Sequence, residues 1–318
     1  METNIVYNEP CLETCKRLPN ESVDCVITSP PYWQLRDYGY PEQWGLEPTF
    51  NEYLEHLWTL MDEIHRILKP SGTVWINLGD TYSTQSGTCA ALRKGKSYDR
   101  ETTYLTNRGE YANLIKQKDI QNKCLLLIPH RFAIGCIERG WIVRNDIIWA
   151  KRNGMPESVT DRFSKKHEYF FFMVKSEKYF FDLDAIRDKH IWADKDNRAD
   201  GKRHISNGLS QEGNYSTNAV CYNSKGKNPG SVSDFWDIPT KPNKDKHYAQ
   251  YSDSLISKPI IAGCPEGGII YDPFMGSGST ADAAIRANRK FIGSEASKEY
   301  YDLCSKRIGW QLRQLNLF

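Results

Sequence analysis

Two short segments far apart in the chain carry residue types that could do chemistry. The first, Asp24-Cys25-Val26-Ile27-Thr28-Ser29-Pro30-Pro31-Tyr32-Trp33, is an apolar run that ends in a di-proline turn and two aromatics. Neither Pro30 nor Pro31 has a backbone N–H, so neither can donate a hydrogen bond. The Ser29 hydroxyl and the Ser29 and Pro30 carbonyls then form a stiff arc of acceptors with Tyr32 beyond it. That arc suits a planar ligand bearing an NH2 group, whose hydrogens the acceptors take while Tyr32 stacks on its face. An exocyclic amine on cytosine or adenine is a poor nucleophile, because its lone pair is delocalised into the ring. Acceptors that draw it toward tetrahedral geometry localise that pair for attack on a sulfonium methyl and favour the positive charge that develops on nitrogen. Pro-Pro-Tyr by itself describes a rigid turn with a packed ring equally well.

The second segment, Ile269-Ile270-Tyr271-Asp272-Pro273-Phe274-Met275-Gly276-Ser277-Gly278-Ser279-Thr280, reads as strand, glycine-rich turn and helix start. Glycines there let a ligand approach the backbone, and the helix N-terminus offers free N–H groups. A phosphate loop would place Lys after the glycines, where this chain has Ser279 and Thr280, and the spacing is not G-x-G-x-x-G. A small nucleoside with an amino-acid tail fits better than a pyrophosphate. The following strand, Arg289 to Glu295, ends in an acid, where ribose hydroxyls are gripped in such folds.

Metal chemistry is not expected. The nine cysteines are scattered, with no C-x-x-C pair and no accompanying His cluster, and read as reduced, mostly buried thiols.

The elements that must position these segments are legible as alternating strands and helices. Strands are predicted at Val23 to Thr28, Thr73 to Leu78, Ile142 to Trp149, Tyr169 to Val174, Gly268 to Tyr271 and Lys290 to Gly293, nearly continuous apolar runs of the kind covered on both faces. Leu54, Leu57, Met61, Ile64 and Leu68 repeat at helical spacing until Pro70-Ser71-Gly72, and further helices are predicted at Leu125 to Arg139, Asp253 to Ala262 and Ser297 to Leu315. The alternation predicts an open, mostly parallel α/β sheet with helices on both faces. Two polar stretches interrupt it: Thr81 to Asn122, with Arg93, Lys94, Lys96, Arg100 and Arg108, and Asp188 to Ser233. Loops this long in a compact domain are functional or disordered.

Composition is that of a globular protein: 318 residues, 39% hydrophobic and 26% charged. The net charge of +2 excludes a protein basic overall, so any nucleic-acid contact must come from local patches. The N-terminus lacks the regions of a signal peptide and no apolar run is long enough to span a membrane, so a soluble cytoplasmic protein without membrane partners is expected.

Together the two motifs resemble the amino-group DNA methyltransferases of restriction–modification type. Ser29-Pro30-Pro31-Tyr32 matches the family's catalytic motif, and Asp272-Pro273-Phe274-x-Gly276-x-Gly278, with Ser277, Ser279 and Thr280 in the same loop, matches its cofactor motif. Phe291-Ile292-Gly293-x-Glu295 is similar to its ribose motif. The catalytic motif comes first, as in the permuted β-class. Asp234-Phe235-Trp236-x-Ile238-Pro239-Thr240 with His247-Tyr248-Ala249, Ile147-Ile148-Trp149-x-Lys151 and Glu168 also match that class. The resemblance implies a circularly permuted, Rossmann-like methyltransferase fold with S-adenosylmethionine as cofactor. It places a catalytic half at 1–187, with the polar insertion 81–122, a target-recognition region at 188–233 and a cofactor half at 234–318. The implied substrate is double-stranded DNA with the target base flipped out. A cognate restriction endonuclease is an implied partner, and a monomer or homodimer the implied state.

In the recognition region Lys189, Arg198, Lys202, Arg203, Lys225 and Lys227 alternate with Asn207, Asn214, Asn218 and Asn223, types that grip phosphates or read bases. Two departures stand out: Glu9-Pro10 precedes Cys11-Leu12-Glu13 where the family often has Gly-Asp, and Ser252 stands where a Pro usually follows the His motif. Ser29 at the head of the catalytic motif favours cytosine N4, with adenine N6 as the alternative. Protein-glutamine and RNA methyltransferases usually place Asn before the prolines and the motif after the glycine loop, and this chain does neither. A DNA-binding module without turnover is disfavoured by two intact motifs.

Overall fold

A computed structural model describes residues 1–40, 43–83, 120–154, 157–187, 232–240 and 253–315. The basic residues expected at 93–108, the Lys, Arg and Asn residues expected at 189–227, His247-Tyr248-Ala249 and Ser252 lie outside the described residues.

The sheet begins with β1 (Ile5–Tyr7), which α1 (Cys11–Arg17) links to β2 (Val23–Thr28); α2 (Phe50–Ile67) then leads into β3 (Leu68–Leu78). After α3 (Ile128–Glu138) come β4 (Ile142–Ala150) and β5 (His167–Val174). The chain closes with β6 (Phe235–Asp237), a helix at Asp253–Gly263, β7 (Ile269–Asp272), a helix at Ser279–Arg286, β8 (Lys290–Ser294) and a helix at Lys298–Leu315. A short helix, α4 (Leu183–Ile186), precedes β6, so these last three are α5, α6 and α7. Two compact units result: residues 1–180 with 234–318, and residues 181–233. Within the second unit, the Asp182 side chain caps α4 by accepting from Ala185 N at 2.9 Å.

The eight strands lie in the order β1-β8-β7-β2-β3-β5-β4-β6. The five from β1 to β3 are mutually parallel, β5 is antiparallel to both β3 and β4, and β6 is parallel to β4. Leu78 pairs with Tyr169 and Ala150 with His167. The C-terminal ends of β8, β7, β2, β3 and β4 therefore share one edge with the start of β5, and the di-proline turn after β2, the glycine loop after β7 and Glu295 after β8 all lie there.

Both faces are covered. Alternate strand residues point to opposite sides. On one side Val26, Val74, Ile76, Phe171 and Met173 pack with residues of α1, α2 and α3. On the other Cys25, Ile27, Trp75, Phe170 and Phe172 pack with residues of α5, α6 and α7. This is why β2 is buried at all six positions and reads as a continuous apolar run. Helix α2 starts where the Thr49 side chain accepts from Glu52 N at 3.2 Å, and it buries Tyr53, Leu54, Leu57, Leu60, Met61 and Ile64 along one stripe.

All six predicted strands are present. Strand β3 starts earlier than expected, at Leu68, which pairs with Val23; the next pair is Cys25 with Thr73, so the extra residues of the Pro70-Ser71-Gly72 step bulge on β3. Strands β1 and β6, three residues each, and the seven-residue α1 fall below the length at which periodicity can be read.

Candidate active site

The glycine loop leaves β7 at Asp272 and enters α6 at Ser279. Asp272 is fully buried and accepts from Phe274 N at 3.0 Å, Thr280 Oγ1 at 2.5 Å and Thr28 Oγ1 at 2.7 Å. Its carboxylate is committed to the loop and ties it to β2, the strand that ends in the di-proline turn. Gly276 and Gly278 both have positive φ, +56° and +87°, so L side chains are disfavoured at both. Their surroundings differ. A Cβ on Gly278 would lie 2.7 Å from Cys304 Sγ, whereas one on Gly276 would meet nothing closer than Phe274 O at 3.9 Å. The loop is closed against α7 at Gly278 and open at Gly276. Phe274, Gly276 and Ser277 are half-buried, while Pro273, Gly278, Ser279 and Thr280 are buried.

Glu295, at the tip of β8, is buried beside this opening. Its Oε2 accepts from Gly276 N and its Oε1 from Ser297 N, both at 2.8 Å. Burial pushes the carboxyl up to about 7, and the two N–H donors pull the other way. Each oxygen keeps a lone pair beyond those bonds, which suits a pair of ligand hydroxyls. The backbone of Glu295 is pinned from β1: its N–H donates to Tyr7 O at 3.0 Å, and Asn8 Nδ2 donates to its carbonyl at 2.8 Å. Tyr38 and Tyr300 meet edge to face with centroids 5.9 Å apart. Burial raises both hydroxyls, that of Tyr300 to about 12, and the nearby Glu295 charge adds to the rise. An open glycine, a buried carboxylate with spare acceptor capacity and neighbouring aromatic rings fit an adenosine bearing an amino-acid tail.

One strand over, the acceptor arc follows β2. Pro30 is buried, and Ser29, Pro31 and Tyr32 are half-buried. Tyr53 donates its hydroxyl to Pro31 O at 2.8 Å, and Gln34 N donates to Gly45 O at 2.6 Å, closing the loop behind Tyr32. The Tyr32 hydroxyl has two acceptors at 2.9 Å, Asn77 Oδ1 from β3 and Glu168 Oε2 from β5, and lies 3.4 Å from Ser29 Oγ. Glu168 is in turn paired with Lys151 at the end of β4. Burial, then the Glu168 charge, holds the Tyr32 hydroxyl well above its ordinary value, so the ring stays neutral. A Cβ at Gly79 would fall 2.6 Å from Tyr32 Cε2, so the ring lies directly on the backbone of residue 79.

Beyond Gly79, Asp80 Oδ1 accepts from Thr81 N at 2.9 Å and Ile128 N at 3.1 Å. Asp80 Oδ2 and His130 Nδ1 are buried without a hydrogen-bond partner among the described residues.

The structure thus brings Ser29 to Tyr32 and Asp272 to Thr280, with Glu295, to adjoining strand ends, and the ring of Trp44 lies 5.3 Å from that of Phe274. Glu9, which stands in place of the family's Gly-Asp, is turned to α1, accepting from Thr14 and Arg17. Asn77, Gly79, Asp80, Tyr38, Trp44 and Tyr300 were not singled out from the sequence. Asn77, a polar residue within the apolar run Val74 to Leu78, gave the one readable signal.

The N6/N4 methyltransferase family model, described as DNA methylase, matches residues 23–306. Type II methyltransferase M.Cfr9I of Citrobacter freundii is 34% identical over 95% of this chain and 87% of its own length. M.XycI of Xanthomonas campestris pv. cyanopsidis is 36% identical over 96% and 88%. Among solved structures, PvuII DNA methyltransferase, which is cytosine-N4-specific, superposes with a TM-score of 0.62 at 15% identity, covering 99% of this chain and 93% of its own. A DNA modification methylase of Thermus thermophilus, solved with S-adenosyl-L-methionine, gives 0.56 at 19% identity over 96% and 95%. Both share the α/β methyltransferase fold. No helix among the described residues is long and apolar enough to cross a membrane.

Proposed function

Because this chain belongs to the N6/N4 DNA methylase family, we propose that it methylates N4 of a cytosine turned out of double-stranded DNA, at a site read by residues 188–233. S-adenosylmethionine is the methyl donor, and when bound it supplies an electrophilic methyl on a sulfonium. Glu295, ionised, would hold its ribose hydroxyls, and the open backbone at Gly276 with Phe274 and Ser277 would border the rest.

The protein's own work is on the base. Tyr32, fixed by Asn77 and Glu168, offers a ring face to the extruded cytosine. The Ser29 and Pro30 carbonyls accept the amino hydrogens and localise the nitrogen lone pair, with no covalent enzyme intermediate. The neutral Ser29 hydroxyl at the head of the arc supports cytosine N4 over adenine N6.

The single observation that carries this reading is the Thr28–Asp272 hydrogen bond at 2.7 Å, which joins the last residues of β2 and β7, 244 positions apart, at one edge of the sheet. The test is methyl transfer from labelled S-adenosylmethionine to mixed-sequence duplex DNA, followed by nucleoside analysis. N4-methylcytosine is expected. N6-methyladenine alone would overturn the base assignment, and absence of incorporation would overturn the reaction.

A further inference from the structure

The connection from β4 to β5 leaves an aromatic ring in solvent beside the Tyr32 site. Phe163 is 96% exposed, the most exposed large hydrophobic side chain among the described residues. A lone exposed apolar residue is ordinary, but the surroundings of this one are not.

The backbone that presents it is braced from several sides. Arg162 Nη1 donates to Glu157 Oε2 at 2.6 Å, and its guanidinium covers the Tyr82 ring at 4.1 Å. Lys123 pairs with Asp161 at 2.6 Å, and Lys165 N donates to the same Glu157 oxygen at 3.3 Å. Lys165 Nζ donates to Asp80 O at 2.6 Å, and Asp80 follows the glycine on which the Tyr32 ring lies. Phe163 is two residues from Lys165, at most about 7 Å of backbone. The other cations of the connection are engaged within the protein as well, Lys151 with Glu168, Arg152 with Asp237 and Lys166 with Gly154 O, which adds to the bracing. A braced connection with an outward aromatic therefore stands at the sheet edge where a substrate duplex must arrive.

We propose that Phe163 is a wedge that enters the base stack of the substrate duplex and fills the gap left when the target base turns toward Tyr32. This rests on the DNA-methylating function proposed above. Extruding a base strips its neighbours of stacking contacts, and an inserted apolar ring restores them without regard to sequence, because every base has a π face.

The test uses the full chain and two duplexes carrying its recognition site, mapped first by methylome sequencing. One has the target base normally paired, and the other has it opposite an abasic site. Phe163→Ala is expected to lower the methylation rate on the paired duplex by about ten- to a hundredfold, the range of one lost stacking partner. It should stay within about threefold of the parent on the abasic duplex, where extrusion meets little resistance. Phe163→Trp should retain activity on both, and melting temperature and S-adenosylmethionine affinity should not move. Equal loss on both duplexes, or a change in oligomeric state, would assign the ring to general packing and overturn the wedge, as would an unaffected rate on the paired duplex. A parent protein that methylates no DNA would instead sink the function proposed above, so the two failures are distinguishable.

Discussion

The two halves of the crevice are built in opposite ways. On the β7–β8 side, the residues that shape the proposed donor cradle are near neighbours in sequence: Asp272, Phe274, Gly276 and Thr280 in one loop, and Glu295 and Ser297 in the next. On the β2–β3–β5 side, one phenol is held by Asn77, Glu168 and, through Glu168, Lys151, groups up to 136 positions away from it. The cradle is a local product of turn geometry. The proposed base site exists only once the sheet has formed, and Thr28–Asp272 is where the two meet. Damage to the cradle should therefore change affinity for the donor, and damage to the Tyr32 cluster should change the rate.

The largest separation is expected from Tyr32→Ala. Losing the stacking face should cut turnover about a hundredfold, at the upper end of base–aromatic stacking, while donor affinity measured by calorimetry changes less than about twofold by the same division of labour. Parallel losses in both quantities would break the comparison.

Next is Glu295→Gln, expected to weaken donor binding by about ten- to a hundredfold, as for hydrogen bonds to a charged group, with turnover at saturating donor nearly kept. The pH profile sharpens this. Burial holds the free carboxyl up to about 7, and the hydroxyls bind its ionised form, so donor affinity should fall as pH drops through 7. The variant's profile should be flat in that window. The same shift has an opposite consequence for the ligand-free fold. A carboxyl whose folded value is raised lends stability in full below about 4.5 and loses it as pH rises toward 7. Ligand-free melting temperature should therefore decline over that range, and a rise would place the raised group elsewhere.

Glu168→Gln keeps the acceptor for Tyr32 but removes the charge that pairs with Lys151. We expect about tenfold slower transfer, modest on the scale of lost preorganisation, with donor affinity unchanged. The smallest effect is assigned to the seam itself. Thr28→Val leaves a buried Asp272 oxygen without one donor and should cost about 1–3 kcal/mol of unfolding free energy in a urea titration, with both affinity and rate reduced several-fold. A shift confined to either quantity would mean that the loops do not act as one crevice.

This asymmetry also explains what the sequence made legible. Gly276, Gly278 and Glu295 could be placed beforehand because their spacing encodes one strand, one turn and the next strand tip, a local pattern with a local cause. Ser29 to Tyr32 were legible for the same reason: two prolines fix the backbone whatever the rest of the chain does. The partners of Tyr32 were not. Lys151 and Glu168 matched a family pattern but had no role until β5 turned antiparallel and brought His167 opposite Ala150. Gly79 carried no signal, since only the packed ring shows why a side chain there would collide. Asp272 belongs to the cofactor motif in the sequence. In the fold it is wholly buried, and its carboxylate binds the loop together.

The most direct measurement is a crystal structure of the chain with S-adenosylhomocysteine. We expect its ribose hydroxyls on Glu295 and its sulfur facing the Ser29-Pro30 arc, with room for a planar base against Tyr32. A ligand bound away from Glu295, or one whose sulfur points away from Tyr32, would contradict the single crevice on which the reaction depends.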